Sequence, residues 1–197
     1  VYLPSETVNK RQPIPLARVR KLQGECVRLN DDIRWLVALI SDTGMRLSEA
    51  VGLRHQDLKL DHEVPHVALV PHATRRLKTD SSERVIPLVG ASLWAAQKII
   101  ESDHSEYCFP RYCSDAVCKS NSASAAINKW IKAVVGSNAV IHGFRHGFRD
   151  RLRAVEAPVD MIDQLGGWSL RSVGQGYGDG YPLDLLHRWM DKIVIKE

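Results

Sequence analysis

The stretch Ala139–Ala154, AVIHGFRHGFRDRLRA, decides how the rest of the chain is read. His142, Arg145, His146 and Arg149 stand at i, i+3, i+4 and i+7, so a helix gathers all four on one face. Phe144, Phe148, Leu152 and Val155 fall on the other face and give that helix something to bury. Two imidazoles beside two guanidiniums suit phosphate. Arginine binds phosphate oxygens through paired N–H groups, and histidine moves protons near neutral pH. A solvated basic stripe would look the same in isolation, so the choice turns on what the remaining segments supply.

Working outward, the segment Thr43–Leu53 reads TGMRLSEAVGL. Gly44 suits a left-handed helix cap, and the turn it makes sets Arg46 at the start of a short helix with Glu49 one turn on. Upstream, Leu16–Leu29 has the pattern of a basic amphipathic helix. Asn30, Asp31 and Asp32 offer N-cap side chains to a second helix carrying Ile33, Leu36, Val37 and Ile40. Between Val64 and Leu88 the period changes. His66–Val70 and Arg84–Leu88 are short β-branched runs joined by a basic loop with Arg75, Arg76 and Lys78, which predicts a hairpin or small antiparallel sheet.

Downstream, Ala91–Glu101 predicts a helix with Leu93, Trp94, Ile99 and Ile100 in the core, and Ser102–Ser120 is polar and irregular. Ser122–Val135 predicts a helix buried through Ile127, Trp130, Ile131 and Val134. After the basic helix, Pro158–Leu165 is short and helical, Gly166-Gly167-Trp168 ends it, and Ser169–Tyr177 leads into a glycine-rich run. Pro182–Ile195 closes as an amphipathic helix. Its Leu185, Leu186, Trp189 and Met190 could pack on their own domain or dock on a neighbouring subunit. The fold class is therefore mainly α with a small antiparallel β-sheet.

Of the 197 residues, 44% are hydrophobic and 25% charged, an ordinary globular balance. No run approaches the ~18 apolar residues of a membrane span, and no signal-peptide pattern opens the chain. Residues 1–15, polar and punctuated by proline, look like an interdomain linker, with 16–197 as one domain and a further N-terminal domain expected upstream. The net charge of +4 is concentrated in His142–Arg153 and Pro71–Arg84, a pointer to nucleic acid. The cysteines, Cys26, Cys108, Cys113 and Cys118, lack a CxxC pair, so reduced thiols are expected and no metal site.

Metal-free cleavage of a phosphodiester needs a nucleophile, cations on the non-bridging oxygens and an acid for the leaving oxygen. Arg46, Lys78, His142, Arg145 and the tyrosines Tyr177 and Tyr181 supply those chemical types. Here the chain resembles the tyrosine recombinases, or phage-type integrases, over about Pro13–Ile195. TGMRLSEAVGL is similar to the family's first motif, which makes Arg46 its first catalytic arginine and Glu49 the supporting acid. Lys78 matches the hairpin lysine, and H-G-F-R matches the H-x-x-R box through His142 and Arg145. The family's fourth position, histidine in most members and tryptophan in some, lies nine residues before the nucleophile. Trp168 and Tyr177 keep that spacing, while Tyr181 is thirteen away. The family commonly reads L-G-H where this chain reads L-G-G-W-S.

The resemblance implies the recombinase catalytic-domain fold. It also implies cleavage through a 3′-phosphotyrosyl link made by Tyr177, with Arg46 and Arg145 on the phosphate, Lys78 as acid, His142 as base and Trp168 packed on the site. His146 is placed as a supporting residue, and Arg75, Arg76 and Arg149 as DNA contacts. No cofactor is implied. The implied partners are double-stranded DNA at recombination sites, three further copies of the chain in a tetramer on DNA (a monomer alone), and accessory DNA-bending proteins, all in the cytoplasm on the nucleoid. The implied outcome is integration or excision of a mobile element such as a prophage. Three alternatives share much of this pattern: a type IB topoisomerase-like or hairpin-resolving enzyme, a DNA-binding regulator, and an inactive integrase remnant.

Overall fold

The structure, a computed structural model, describes residues 12–72, 75, 82–102, 105–114, 117–136, 138–168 and 180–195. Helices α1 (Leu16–Leu29) and α2 (Asp32–Thr43) are joined by a tight turn. Asn30 caps α1 at φ 47°, and the Asp31 carboxylate accepts the Arg34 backbone N–H at 3.0 Å to open α2. Helix α2 is the centre of the domain. Every residue from Leu36 to Thr43 is buried, and it packs against α1, α4 (Gly90–Ser102), α5 (Ser120–Val135) and α6 (His142–Ala154). Short α3 (Leu47–Val51) and a 3-10 turn at His55–Asp57 lead into the sheet.

Strands β1 (Leu58–Lys59), β2 (His66–Leu69) and β3 (Arg84–Pro87) form an antiparallel sheet in chain order, with Leu69 opposite Arg84 and His66 opposite Pro87. Helix α7 (Val159–Gly166) and α8 (Leu183–Lys192) pack against β3. In α8, Leu186 and Met190 are fully buried in their own domain, with Leu185 and Trp189 packed partly against the same core. Burial of that stripe within the domain follows from its hydrophobic spacing.

Gly44 joins α2 to α6. It closes α2 in the left-handed region at φ 61°, and a Cβ there would lie 2.5 Å from a ring carbon of Phe148. Backbone conformation and close approach both demand glycine. Behind it, the buried Asp42 carboxylate accepts from Arg151 at 2.8 Å, from Gln23 at 3.1 Å and from the Ala91 N–H that opens α4 at 2.9 Å. One carboxylate thus ties three segments, α1, α4 and α6, to the end of α2.

Three expectations need correction. Cys113 and Cys118 face each other across a short hairpin, β4 (Cys113–Ser114) and β5 (Val117–Cys118), and form a disulfide. The register brings their Cα atoms to 4.2 Å, a pairing that the irregular sequence between Ser102 and Ser120 does not announce. The other two thiols are free and buried, and burial pushes that of Cys26 up to about 12. Ile100 is not core; it is 38% exposed at the outer face of α4. The packed domain also begins before Leu16, because Ile14 is buried against Gly143 of α6. Of the two readings of the basic face of α6, the solvated stripe is set aside, since Arg145 is buried with Phe144, Phe148 and Leu152.

Gly44→Ala is expected to lower the unfolding free energy by about 2–4 kcal/mol, combining a disfavoured φ with a clash against Phe148. Gly24→Ala, on the exposed side of α1 with nothing within 4 Å of the new methyl, should raise it by about 0.5–1 kcal/mol. Urea unfolding of the two variants measures both.

Candidate active site

The site grows from the start of α3. The Arg46 guanidinium donates to Glu49 Oε1 at 2.5 Å, and its backbone N–H donates to Glu49 Oε2 at 2.8 Å. A second arginine completes this carboxylate: Arg84, from β3, donates to Glu49 Oε2 at 3.0 Å. Arg84 also reaches the Leu165 carbonyl at 2.9 Å and the Ser82 carbonyl at 2.7 Å. Arg46 goes on to Ser82 Oγ at 3.1 Å and the Gly167 carbonyl at 3.3 Å. Thus Glu49 holds two guanidiniums, and Ser82 and the carbonyls at the end of α7 take up further donors of both.

Arg145 arrives from α6 on the same carbonyl run. It donates to Gly166 O at 2.6 Å and to Gly44 O at 2.7 Å. Arg46 and Arg145, almost a hundred residues apart in sequence, therefore rest on adjacent carbonyls, Gly167 and Gly166. Beside them lies Trp168, its ring centroid 4.4 Å from the Arg145 guanidinium carbon and 4.8 Å from that of Arg149. Arg149 pairs with the buried Asp163 at 3.1 Å. A Cβ on Gly166 would fall inside the Trp168 ring, so the G-G-W sequence is what lets the indole lie over the end of α7.

Electrostatics follow from this packing. Burial raises the Glu49 pKa, but the Arg84 charge and hydrogen bond, with Arg46 behind them, outweigh it and hold the carboxyl below its ordinary value of 4.5. Burial, then Arg46 and Arg84, depress Arg145 well below the usual arginine range. Burial likewise lowers Arg84, against the pull of Glu49. Four guanidiniums (Arg46, Arg84, Arg145, Arg149) face two carboxylates (Glu49, Asp163), an excess of two positive charges. A cluster strained in this way gains from an anion placed among its donors.

His142 opens α6, half-buried, and its ring meets the exposed His146 edge-on at 5.0 Å between centroids. It also lines a cavity of about 210 Å³ with Met45, Leu47, Ser124 and Asn128. Lys78, Arg76 and Tyr177 lie outside the described residues. Tyr181 is engaged elsewhere, its hydroxyl donating to Asp160 at 3.0 Å and its N–H to Gln164 at 2.8 Å. Arg75, expected on DNA, is instead buried: its side chain is 2% exposed, pairs with Asp57 at 2.8 Å and donates to Val70 O at 2.7 Å. All its strong contacts are internal, so it fastens the turn after β2 to the 3-10 turn. Among the described residues no three His, Cys, Asp or Glu side chains gather as metal ligands do.

Sequence reasoning missed Arg84, Asp163 and Ser82. An arginine inside a β-branched run was a usable signal for the first, because a buried strand arginine needs a buried acid. Nothing local marks the other two.

A helical domain in which a three-stranded antiparallel sheet and two helices bring arginines onto one carbonyl run has the fold of the tyrosine recombinase catalytic domain. The solved relatives agree in fold: the XerA recombinase (TM-score 0.63, 16% identity, covering 96% of this chain and 65% of that one); the Tn1549 transposon integrase in complex with circular intermediate DNA (0.62, 16%, 95% and 67%); and the XerH site-specific recombinase bound to palindromic difH substrate (0.57, 15%, 81% and 47%). The chain belongs to the phage integrase family, whose model matches residues 19–181. It spans about two thirds (65%) of the XerA recombinase chain. No protein of curated function matches the sequence. Among the described residues no helix is long and apolar enough to cross a membrane.

A depressed carboxyl adds stability above its unfolded pKa that disappears as pH falls through the folded one. Unfolding free energy of the wild type should therefore fall as pH drops below about 4.5, partly through Glu49. Glu49→Gln should be less stable at pH 7 and lose part of that acid-side slope. Urea unfolding between pH 7 and 3 compares the two.

Proposed function

We propose that this chain is the catalytic domain of a site-specific DNA recombinase that cuts and rejoins strands through a tyrosine. One observation carries the proposal: Arg46 and Arg145 converge on the adjacent carbonyls of Gly167 and Gly166, inside a cluster with two uncompensated positive charges. A phosphodiester carries one negative charge and gains a second as a nucleophile adds to phosphorus. Donors fixed before the reaction stabilise that added charge without reorganising.

In the proposed step the Tyr177 oxygen attacks the scissile phosphorus. A bond forms from Tyr177 to phosphorus and the bond to the 5′ oxygen breaks, leaving a 3′-phosphotyrosyl link. His142 takes the tyrosine proton, which an unperturbed phenol with a pKa near 10 holds at neutral pH. Lys78 gives a proton to the departing 5′ oxygen. Arg46 and Arg145 hold the non-bridging oxygens, and the indole N–H of Trp168 donates to one of them. Attack by the 5′-hydroxyl of another strand reverses the sequence. Bond energy is kept in the link, so neither ATP nor a cofactor is consumed.

The partners proposed are duplex recombination sites, further copies of the chain in a tetramer on DNA and accessory DNA-bending proteins, with the reaction in the cytoplasm. Integration or excision of a mobile element such as a prophage is the outcome we assign. Arg76, beside the hairpin lysine, remains a proposed DNA contact, and His146, exposed one turn after His142, a proposed supporting residue. The known relatives' own substrates fit this assignment, since the XerH structure holds the palindromic difH substrate.

Incubation with a labelled, nicked duplex of the cognate site, quenched in detergent, tests the proposal. Wild type and Tyr181→Phe should give a detergent-resistant protein–DNA band, and Tyr177→Phe should give none. A band lost only in Tyr181→Phe would move the nucleophile. DNA binding without any band would leave a DNA-binding remnant.

A further inference from the structure

Arg149 is a residue that a DNA-binding surface would claim, yet its surroundings face inward. Its carboxylate partner, Asp163, has a side chain only 2% exposed. Its Nε is buried and has no hydrogen-bond acceptor. Leaving a buried guanidinium N–H without an acceptor costs stability, so the position is not explained by the ion pair alone. What occupies the space beside it is the Trp168 indole, with the centroid 4.8 Å from the guanidinium carbon.

Asp163 grips Trp168 a second way. Its backbone carbonyl accepts the Trp168 backbone N–H at 3.0 Å, while its side chain takes Arg149. The same indole packs on Arg145 at 4.4 Å. Arg145 and Arg149 are like charges at i and i+4 on α6, a spacing that repels. Their joint contact with one ring, and the Asp163 carboxylate on Arg149, offset that repulsion. An indole offers one N–H, so it serves a phosphate oxygen in only one orientation. Gly166 gives it room to lie over the end of α7 but nothing in that glycine fixes its tilt.

We propose that Arg149, anchored by Asp163, is a positioning residue that sets Trp168 against Arg145, and that it acts on the reaction through the indole rather than by contacting DNA. This rests on the recombinase function proposed above. The arrangement belongs to a site with tryptophan in the fourth position. Trp168→His removes the indole that both guanidiniums contact, so a role of Arg149 that acts through that ring ends with it.

The test uses the full chain and a nicked duplex of the cognate site, at saturating DNA, in a single turnover. Arg149→Ala should slow covalent-adduct formation roughly 10-fold, the scale of one partly desolvated cation–π contact, with DNA affinity changed less than twofold. Placed on Trp168→His, Arg149→Ala should cause no further loss. Equal losses on both backgrounds would overturn the proposal. So would an unchanged saturated rate with weaker binding and a salt slope smaller by about one, the signature of a direct phosphate contact.

A second measurement does not depend on activity. Among the five tryptophans, the Trp168 indole N–H resonance, assigned through Trp168→His, should shift and broaden in Arg149→Ala while the other four stay in place. An unmoved Trp168 resonance would overturn the proposal even if the wild type gave no adduct. Absence of an adduct in the wild type would instead count against the recombinase function.

Discussion

The constraint on which this structure depends is the close approach of like charges. Arg46, Arg84 and Arg145 come from α3, β3 and α6, and in a partly dry interior their mutual repulsion would drive those elements apart. The Glu49 carboxylate answers most of it, bound to Arg46 on one oxygen and to Arg84 on the other. Replacing such a pair with apolar side chains could give an equally stable protein. Its retention here makes sense if the cluster has a use for positive charge that apolar packing would not provide.

The rest of the fold holds these three elements in register. Helix α2 ends at Gly44, whose missing side chain lets Phe148 close in and whose carbonyl takes one Arg145 donor. Strand β3 brings Arg84 behind Glu49 while α7 and α8 pack against that strand. The end of α7 supplies three successive carbonyls, Leu165, Gly166 and Gly167, to Arg84, Arg145 and Arg46 in turn. Carbonyls neutralise no charge, so they orient the guanidiniums without cancelling the field an incoming phosphate would meet. The exposed quarter of the Arg46 side chain, 25%, marks where that field opens to solvent.

Much of this was legible in the chain. The helical periods set α1 at Leu16–Leu29, the bounds it has in the structure, and the two β-branched runs pointed to the β2–β3 pairing. The carry-over from the family put Arg46, Glu49, Arg145 and Trp168 in one place, as the structure does. What was not legible depends on contacts far apart in sequence. The burial of Arg75 requires Asp57, and the role of Arg84 requires Glu49; neither partner is within reach of a local pattern. The disulfide needed a hairpin of two-residue strands, too short for a period to show. Arg145 was grouped with a polar face because helical spacing reports direction, not depth. A guanidinium can be turned inward whenever carbonyls are waiting for it.

The central claim, that the arginine cluster is built for the charge of one phosphodiester, is tested most directly by removing charge from each side separately and together. Single-turnover cleavage would be measured with a normal scissile phosphate and with an uncharged methylphosphonate in its place, for the wild type and for Arg46→Ala. Arg46 is suited to this because its side chain is partly exposed and its loss leaves the Glu49–Arg84 pair intact. If Arg46 acts on that charge, its removal costs much less on the methylphosphonate than on the phosphate. Losses that simply multiply would contradict it, and would place Arg46 among the residues that hold the fold without acting on the phosphate.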